Sequence, residues 1–276
     1  MTTQAPLLYA VLDPARAPEI YPVMRALAPD HQCLFGNLAP EVSQVSPHVM
    51  ALPEGGKLLT WWRAAGRGQA WGIACRTAIG LDGLRVHLKK FTRARLPDSS
   101  LVLFRFWDPR VLAIFMAHST AAEQQRFFGP IEAMYGEDEA ARTMTWRRQA
   151  DGTAHNSQAA GPFQISDQLW AGFVAADDAS FRARLAELVL GDLGRIGLVT
   201  RETVAAQIEP LIARAAALGF ESEMEIAAYI LAVLPVGEDR LSRTMNFVSA
   251  AFSPHAPASQ RAGWLEAAGR EALATS

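Results

Sequence analysis

The sequence predicts an N-terminal lobe of α+β or α/β type, a mixed sheet flanked by helices, followed by an all-α C-terminal lobe. Three observations lead to it. Over the first 150 positions, short apolar or β-branched runs alternate with apolar residues at helical spacing. A stretch crowded with Gly, Ser, Asn, Gln and Pro follows at 151–162 and reads as a linker. Beyond it every periodic segment is helical. The expected division is residues 1–150, a linker at 151–162 and a helical lobe at 163–276.

Leu7–Leu12 is a continuous apolar run, as in a strand buried on both faces, and the alternation of strands and helices that follows indicates a mixed or parallel sheet with helices packed on it. Ile20, Val23, Met24 and Leu27 recur at helical spacing until Pro29-Asp30. Short strands are expected at 32–35 and 48–52, a helix at 58–65 ended by Gly66, and another strand at 71–75. Leu81, Leu84, Leu88 and Phe91 mark an amphipathic helix running to about Arg95. Residues 101–107 read as the clearest strand, 111–116 as the start of a helix and 144–147 as a last strand.

In the second lobe Phe181, Leu185, Leu188 and Val189 share a face that Gly191 closes. Val204, Ile208, Leu211 and Ala215 share another, kinked at Pro210 and ended at Gly219. Ser222 with Glu225 forms a capping box ahead of Ile226, Ile230 and Leu234. Leu241, Met245, Val248 and Phe252 continue the apolar stripe, and a helix around 264–274 ends the chain.

The 276 residues are half apolar and one-fifth charged, with 26 basic and 28 acidic side chains for a net −2. That balance disfavours a general nucleic-acid or membrane-surface binder. The longest apolar run, 226–236, falls well short of the ~20 residues a membrane span requires. Neither a basic n-region nor an apolar h-region opens the chain, so a cytoplasmic protein is expected. Cys33 and Cys75 read as buried thiols. The charge is unevenly placed: residues 57–110 carry 11 basic and 3 acidic groups, whereas 151–276 are net −6.

Two apolar runs end alike, in Asp13-Pro14 and Asp108-Pro109. Carboxylates at strand ends are where α/β enzymes place metal or phosphoryl sites, so an α/β hydrolase or phosphotransferase using Asp13 and Asp108 is one reading. The other is that Asp caps and Pro opens the following helix. A haloacid-dehalogenase-type site would carry a second Asp two residues after the first, and that position is Ala15. Arg105 suits a structural pairing with Asp13 or Asp108, or else presentation to a bound anion or partner. The six histidines lack zinc-motif spacing, and there is no P-loop, nucleophile elbow or dinucleotide fingerprint, so no metal or cofactor is expected. Arg85, Lys89 and Arg93, at i, i+4 and i+8 of the expected basic helix, form one cationic stripe that is a solvated face, a face neutralised by the acidic helical lobe of net −6, or a dock for an acidic surface on a partner.

Several motifs stand in a specific order: YAVLDPAR (9–16), AWGIAC (70–75), KKFTRARLPD (89–98), LVLFRFWDPRVL (101–112) and FFGPI (127–131). Together they resemble the type VI secretion effector-chaperone, or adaptor, family over about residues 7–150. The one departure is Trp107, where a tyrosine is expected and the aromatic character is kept. The resemblance implies a non-enzymatic cytoplasmic protein of a Gram-negative bacterium. Its partners would be a cognate toxic effector and the VgrG spike onto which it loads that effector, with no nucleic acid and no membrane insertion. On this reading Asp13, Trp71, Arg105, Asp108, Gly129 and Pro130 are structural motif residues, and Arg85, Lys89, Arg93, Trp107 and Arg110 are the candidates for partner contact.

Overall fold

The computed structural model describes residues 7–149 and 161–274; apart from Gly161 and Pro162, the expected linker lies outside the described residues. The chain divides into two compact units, Met1–Val174 and Ala175–Ser276.

The first unit is built on β1 (Leu7–Leu12), α1 (Ile20–Leu27), β2 (Gln32–Cys33), α2 (Pro40–Ser43), β3 (His48–Ala51), α3 (Lys57–Ala65) and β4 (Gly72–Thr77). These are followed by α4 (Leu81–Lys89), β5 (Arg93–Arg95), β6 (Leu101–Leu103), α5 (Pro109–His118), α6 (Ala121–Phe128), β7 (Ile131–Glu137), β8 (Thr143–Arg147) and β9 (Phe163–Gln164). Six strands form one sheet in the order β2-β3-β1-β4-β7-β8.

Every pairing in that sheet is antiparallel, where the alternation of strands and helices suggested a mixed or parallel one. The apolar run of β1 reports covered faces and not strand direction. Tyr9 and Val11 pack on one side with Leu84 and Leu88 of α4, Leu112 and Phe115 of α5, and Phe127 and Phe128 of α6. Ala10 and Leu12 pack on the other with Ile20 and Met24 of α1 and Leu58 and Leu59 of α3. With helices on both sides, all of β1 from Tyr9 on is buried. Where the start of β4 meets the end of β1, the strands approach so closely that a Cβ on Gly72 would stand 2.0 Å from the Val11 carbonyl oxygen.

A second, three-stranded sheet has the order β6-β5-β9, with β5 antiparallel to β6 and parallel to β9. Here two expectations are corrected. The strand expected over 101–107 stops at Leu103, and the chain then turns, the Asp108 amide donating to the Arg105 carbonyl at 2.9 Å. The basic helix stops at Lys89, and Arg93 lies on β5. The sequence pattern did not reveal α6 and β7.

Phe163, Ile165, Leu169 and the partly buried Phe173 belong to the core of the first unit, so the division falls inside α7 (Asp167–Val189), downstream of the expected start at 163. From Asp167 on, the chain is all-helical, as expected.

In the second unit the rest of α7 leads into a π-helical turn, Leu190–Gly194, and then α8 (Arg201–Ala217), α9 (Glu223–Val236), α10 (Glu238–Leu241), α11 (Met245–Ala251) and α12 (Ala258–Ala274). Leu185, Val204, Ile208, Ile226, Ile230, Phe247 and Leu265 are among its core residues. Gly269 of α12 lets the helix approach Ala232 of α9, where a Cβ would stand 3.2 Å from the Ala232 Cα. The capping box opens α9, and its Glu225 also receives Arg261 at 2.8 Å in a buried ion pair. The expected stripe of Leu241, Met245, Val248 and Phe252 is corrected. Leu241, Phe247 and Ala250 are buried, whereas Met245 and Phe252 are 73% and 80% exposed.

Candidate functional site

The end of β1 places Asp13 beside β4, where its amide donates to the Trp71 carbonyl at 2.8 Å. Asp13 caps the short 3-10 turn Pro14–Arg16: its Oδ1 accepts from the Ala15 amide at 3.1 Å, and Pro14 occupies the first turn. Its Oδ2 accepts from Arg105 Nη2 at 2.7 Å and from Trp107 Nε1 at 2.9 Å. The carboxylate is buried while the Arg105 side chain is 43% exposed, so the guanidinium bridges the node to water. Of the two partners expected for Arg105, it takes Asp13.

Asp108 is held by Arg110. It caps α5, with Oδ1 accepting from the Arg110 amide at 3.0 Å and from Arg110 Nε at 3.0 Å, and Oδ2 from Nη2 at 2.7 Å. Burial pushes the Asp108 pKa up, but the Arg110 hydrogen bonds and the charges of Arg110 and Arg16 outweigh it and hold it below the usual carboxylate value. The same hydrogen bonds raise the Arg110 pKa, with Glu139 adding a further contact at 3.4 Å.

All four oxygens of Asp13 and Asp108 therefore accept hydrogen bonds from the chain itself. Each of the two carboxylates caps the segment that follows it. Among the described residues, no group of three His, Cys, Asp or Glu side chains stands where it could hold a metal ion.

The FFGPI motif has a second set of contacts. Phe127 and Phe128 are buried at the end of α6, and Gly129 follows at φ +48°, where a Cβ would stand 2.4 Å from His87 Cε1. His87 of α4 contacts the Phe127 carbonyl through Nε2 at 2.8 Å, and Thr77 donates to the Pro130 carbonyl at 2.9 Å. Burial lowers the His87 pKa more than the Phe127 hydrogen bond raises it, and Lys90 adds to the lowering. Trp71 is likewise buried, its ring centroid 5.4 Å from that of Trp61.

The five candidates for partner contact do not form one surface. Trp107 is fully buried and acts as a core donor, so it is no exposed anchor. Arg110 is part-exposed but engaged by Asp108 and Glu139. Arg85 donates to Gln32 Oε1 at 2.8 Å, and Gln32 in turn donates to Asp82 at 2.5 Å, so a residue 53 positions away takes up part of the helix face. Lys89 is exposed at the end of α4, and Arg93 is exposed on β5. The three cations thus fall on two elements and make no helical stripe. Sequence spacing gave no signal for Gln32, His87 or Glu139, whose contacts are long-range.

Among the described residues, no helix is long and apolar enough to cross a membrane. No curated protein and no solved structure matches the chain significantly. One family model does match, over residues 8–126, and its description is a domain of unknown function, DUF4123. The chain carries a DUF4123 domain that takes in most of the first compact unit.

Proposed function

We propose that the chain is a non-enzymatic cytoplasmic adaptor that binds a type VI secretion effector and loads it onto the VgrG spike. The observation that carries this reading is the ordered motif set from Tyr9 to Ile131, four of whose five motifs lie within the matched DUF4123 region. The geometry supports it in a second way. YAVLDPAR and LVLFRFWDPRVL meet through Asp13, Arg105 and Trp107, so the motifs describe one folded unit. Each of their carboxylates accepts hydrogen bonds from within that unit, as a structural role requires.

The test is co-purification of the chain with any effector and VgrG found encoded beside it, together with effector secretion after deletion of its gene. The adaptor forms a stable complex with one effector, and secretion of that effector stops without it. Normal secretion in the deletion strain, with no complex formed, overturns the reading.

A further inference from the structure

We propose that the open edge of β6 is a docking strand for an extended segment of a partner protein in which acidic and apolar residues alternate. Arg93 pairs with Leu103, Ala94 with Val102 and Arg95 with Leu101. The flanking bonds, Phe104 amide to Thr92 carbonyl at 3.0 Å and Leu96 amide to Ser100 carbonyl at 2.9 Å, fix which pairs in this ladder are hydrogen-bonded. In an antiparallel pair these alternate, so the N–H and C=O groups of Leu101 and Leu103 point away from β5. No described strand lies on that side, since β6 is the edge of its sheet. Four main-chain groups there await a partner strand.

The side chains specify what kind of strand fits. Leu101 and Leu103 are 49% and 55% exposed, and across the ladder they share their face with Arg93 and Arg95. Arg93 is exposed and forms no ion pair with any described residue, and Lys89 and Lys90 lie just before it, also exposed. A segment added beside β6 lays alternate side chains over the two leucines, on the face that also carries Arg93 and Arg95. Acidic residues there are favoured, with their methylenes on the leucines. The intervening residues fall on the face of Val102, which packs against the core, and are apolar. A tight turn holds the edge in place: Asp98 accepts from the Ser100 amide at 2.8 Å and Arg95 donates to the Ser99 carbonyl at 2.7 Å.

The inference rests on the adaptor reading only for the identity of the chain supplying the segment, which would be the cargo effector. Its test needs no effector. Fluorescent short peptides alternating Val and Glu, or Val and Lys, are titrated against the full-length protein and read by anisotropy. The Val-Glu peptide binds and the Val-Lys peptide does not. Leu103→Pro deletes an outward N–H and leaves the β5–β6 bonds in place, a position where an edge strand accepts proline. It weakens binding by about tenfold, the effect of a lost hydrogen bond. Arg93→Glu, a change at an exposed side chain that removes no main-chain bond of the ladder, weakens the Val-Glu peptide and lets Val-Lys bind, and it decides the matter should Leu103→Pro fail to fold.

Equal binding of the two peptides, no binding of either, or wild-type binding by folded Leu103→Pro overturns the proposal. So does a wild-type dimer that Leu103→Pro turns into a monomer, which would assign the edge to a second copy of the chain. Peptide binding without any effector complex leaves the edge standing and removes the adaptor reading. An effector complex indifferent to Leu103→Pro, with no peptide bound, does the reverse.

Discussion

Arg105 and Asp13, 92 positions apart, meet at 2.7 Å, and Trp107 donates its indole N–H to the same carboxylate oxygen at 2.9 Å. One buried oxygen thereby joins the end of β1 to the bend after β6. Since Arg105 is 43% exposed, water screens the ion pair and the buried indole contact carries more of the stability. Asp13→Ala strands the Trp107 donor and costs about 1–3 kcal/mol. A double-mutant cycle between Asp13 and Arg105 gives a coupling under about 1 kcal/mol. Denaturant unfolding followed by tryptophan fluorescence measures both, because six of the seven tryptophans lie in the first unit. A coupling well above that range would make the ion pair the dominant contact.

Gly129 supplies a second check on the motif residues. At φ +48° and against the His87 ring, an added methyl meets both a backbone penalty and a clash. Gly129→Ala lowers stability by about 1–3 kcal/mol from the backbone alone. Because His87→Ala itself loses the contact to the Phe127 carbonyl, Gly129→Ala is also measured in a His87→Ala background, where the clash is gone and only the backbone share is left. Denaturant midpoints of the single and double variants separate the two, and an unchanged midpoint for Gly129→Ala would show that the turn is free to relax.

What was legible in the sequence were features set by near neighbours. The Asp-Pro caps at 13 and 108 and the Ser222–Glu225 box depend on residues within a few positions of one another, and each is present. Strand direction was not legible, because the apolar run of β1 is the same for any sheet covered on both faces. The end of the basic helix at Lys89 was hidden too. Arg93 continues a helical spacing by coincidence, while its conformation is set by pairing with Leu103. The candidate site divides in the same way: Asp108 with Arg110 is local, whereas the choice of Asp13 by Arg105 and the burial of Trp107 depend on tertiary packing.

Acid should weaken the first unit through His48. Burial lowers its pKa to about 4, more than its contact with the Ser43 carbonyl restores, and His31 stands 5.0 Å away ring to ring. The unfolded chain takes up this proton near pH 6.5 and the folded chain only near 4, so the stability is full above pH 6.5 and falls between the two. A shift of that size is worth about 3 kcal/mol. His87, lowered by burial, acts in the same direction. Thermal melts from pH 7 to 4 should therefore show a shallower decline for His48→Gln than for the wild type. Parallel curves would mean that His48 is solvated before it protonates.

The reversed face of α11 gives the most direct test of the second unit. Helical spacing groups Met245, Val248 and Phe252, yet the helix buries Phe247 and Ala250 instead. The Thr244 cap fixes that rotation: its hydroxyl accepts from the Phe247 amide at 3.2 Å and donates to the Leu241 carbonyl at 2.8 Å. With Thr244 and Leu241 both buried, α11 enters the unit in one orientation. Phe252→Ser and Met245→Ser on the exposed side should each change stability by no more than about 0.5 kcal/mol. Phe247→Ala opens a cavity and should cost about 3–5 kcal/mol. Helix circular dichroism during denaturant unfolding reads both sides of the comparison. A large loss from Phe252→Ser with a small one from Phe247→Ala would restore the face that the spacing alone suggests.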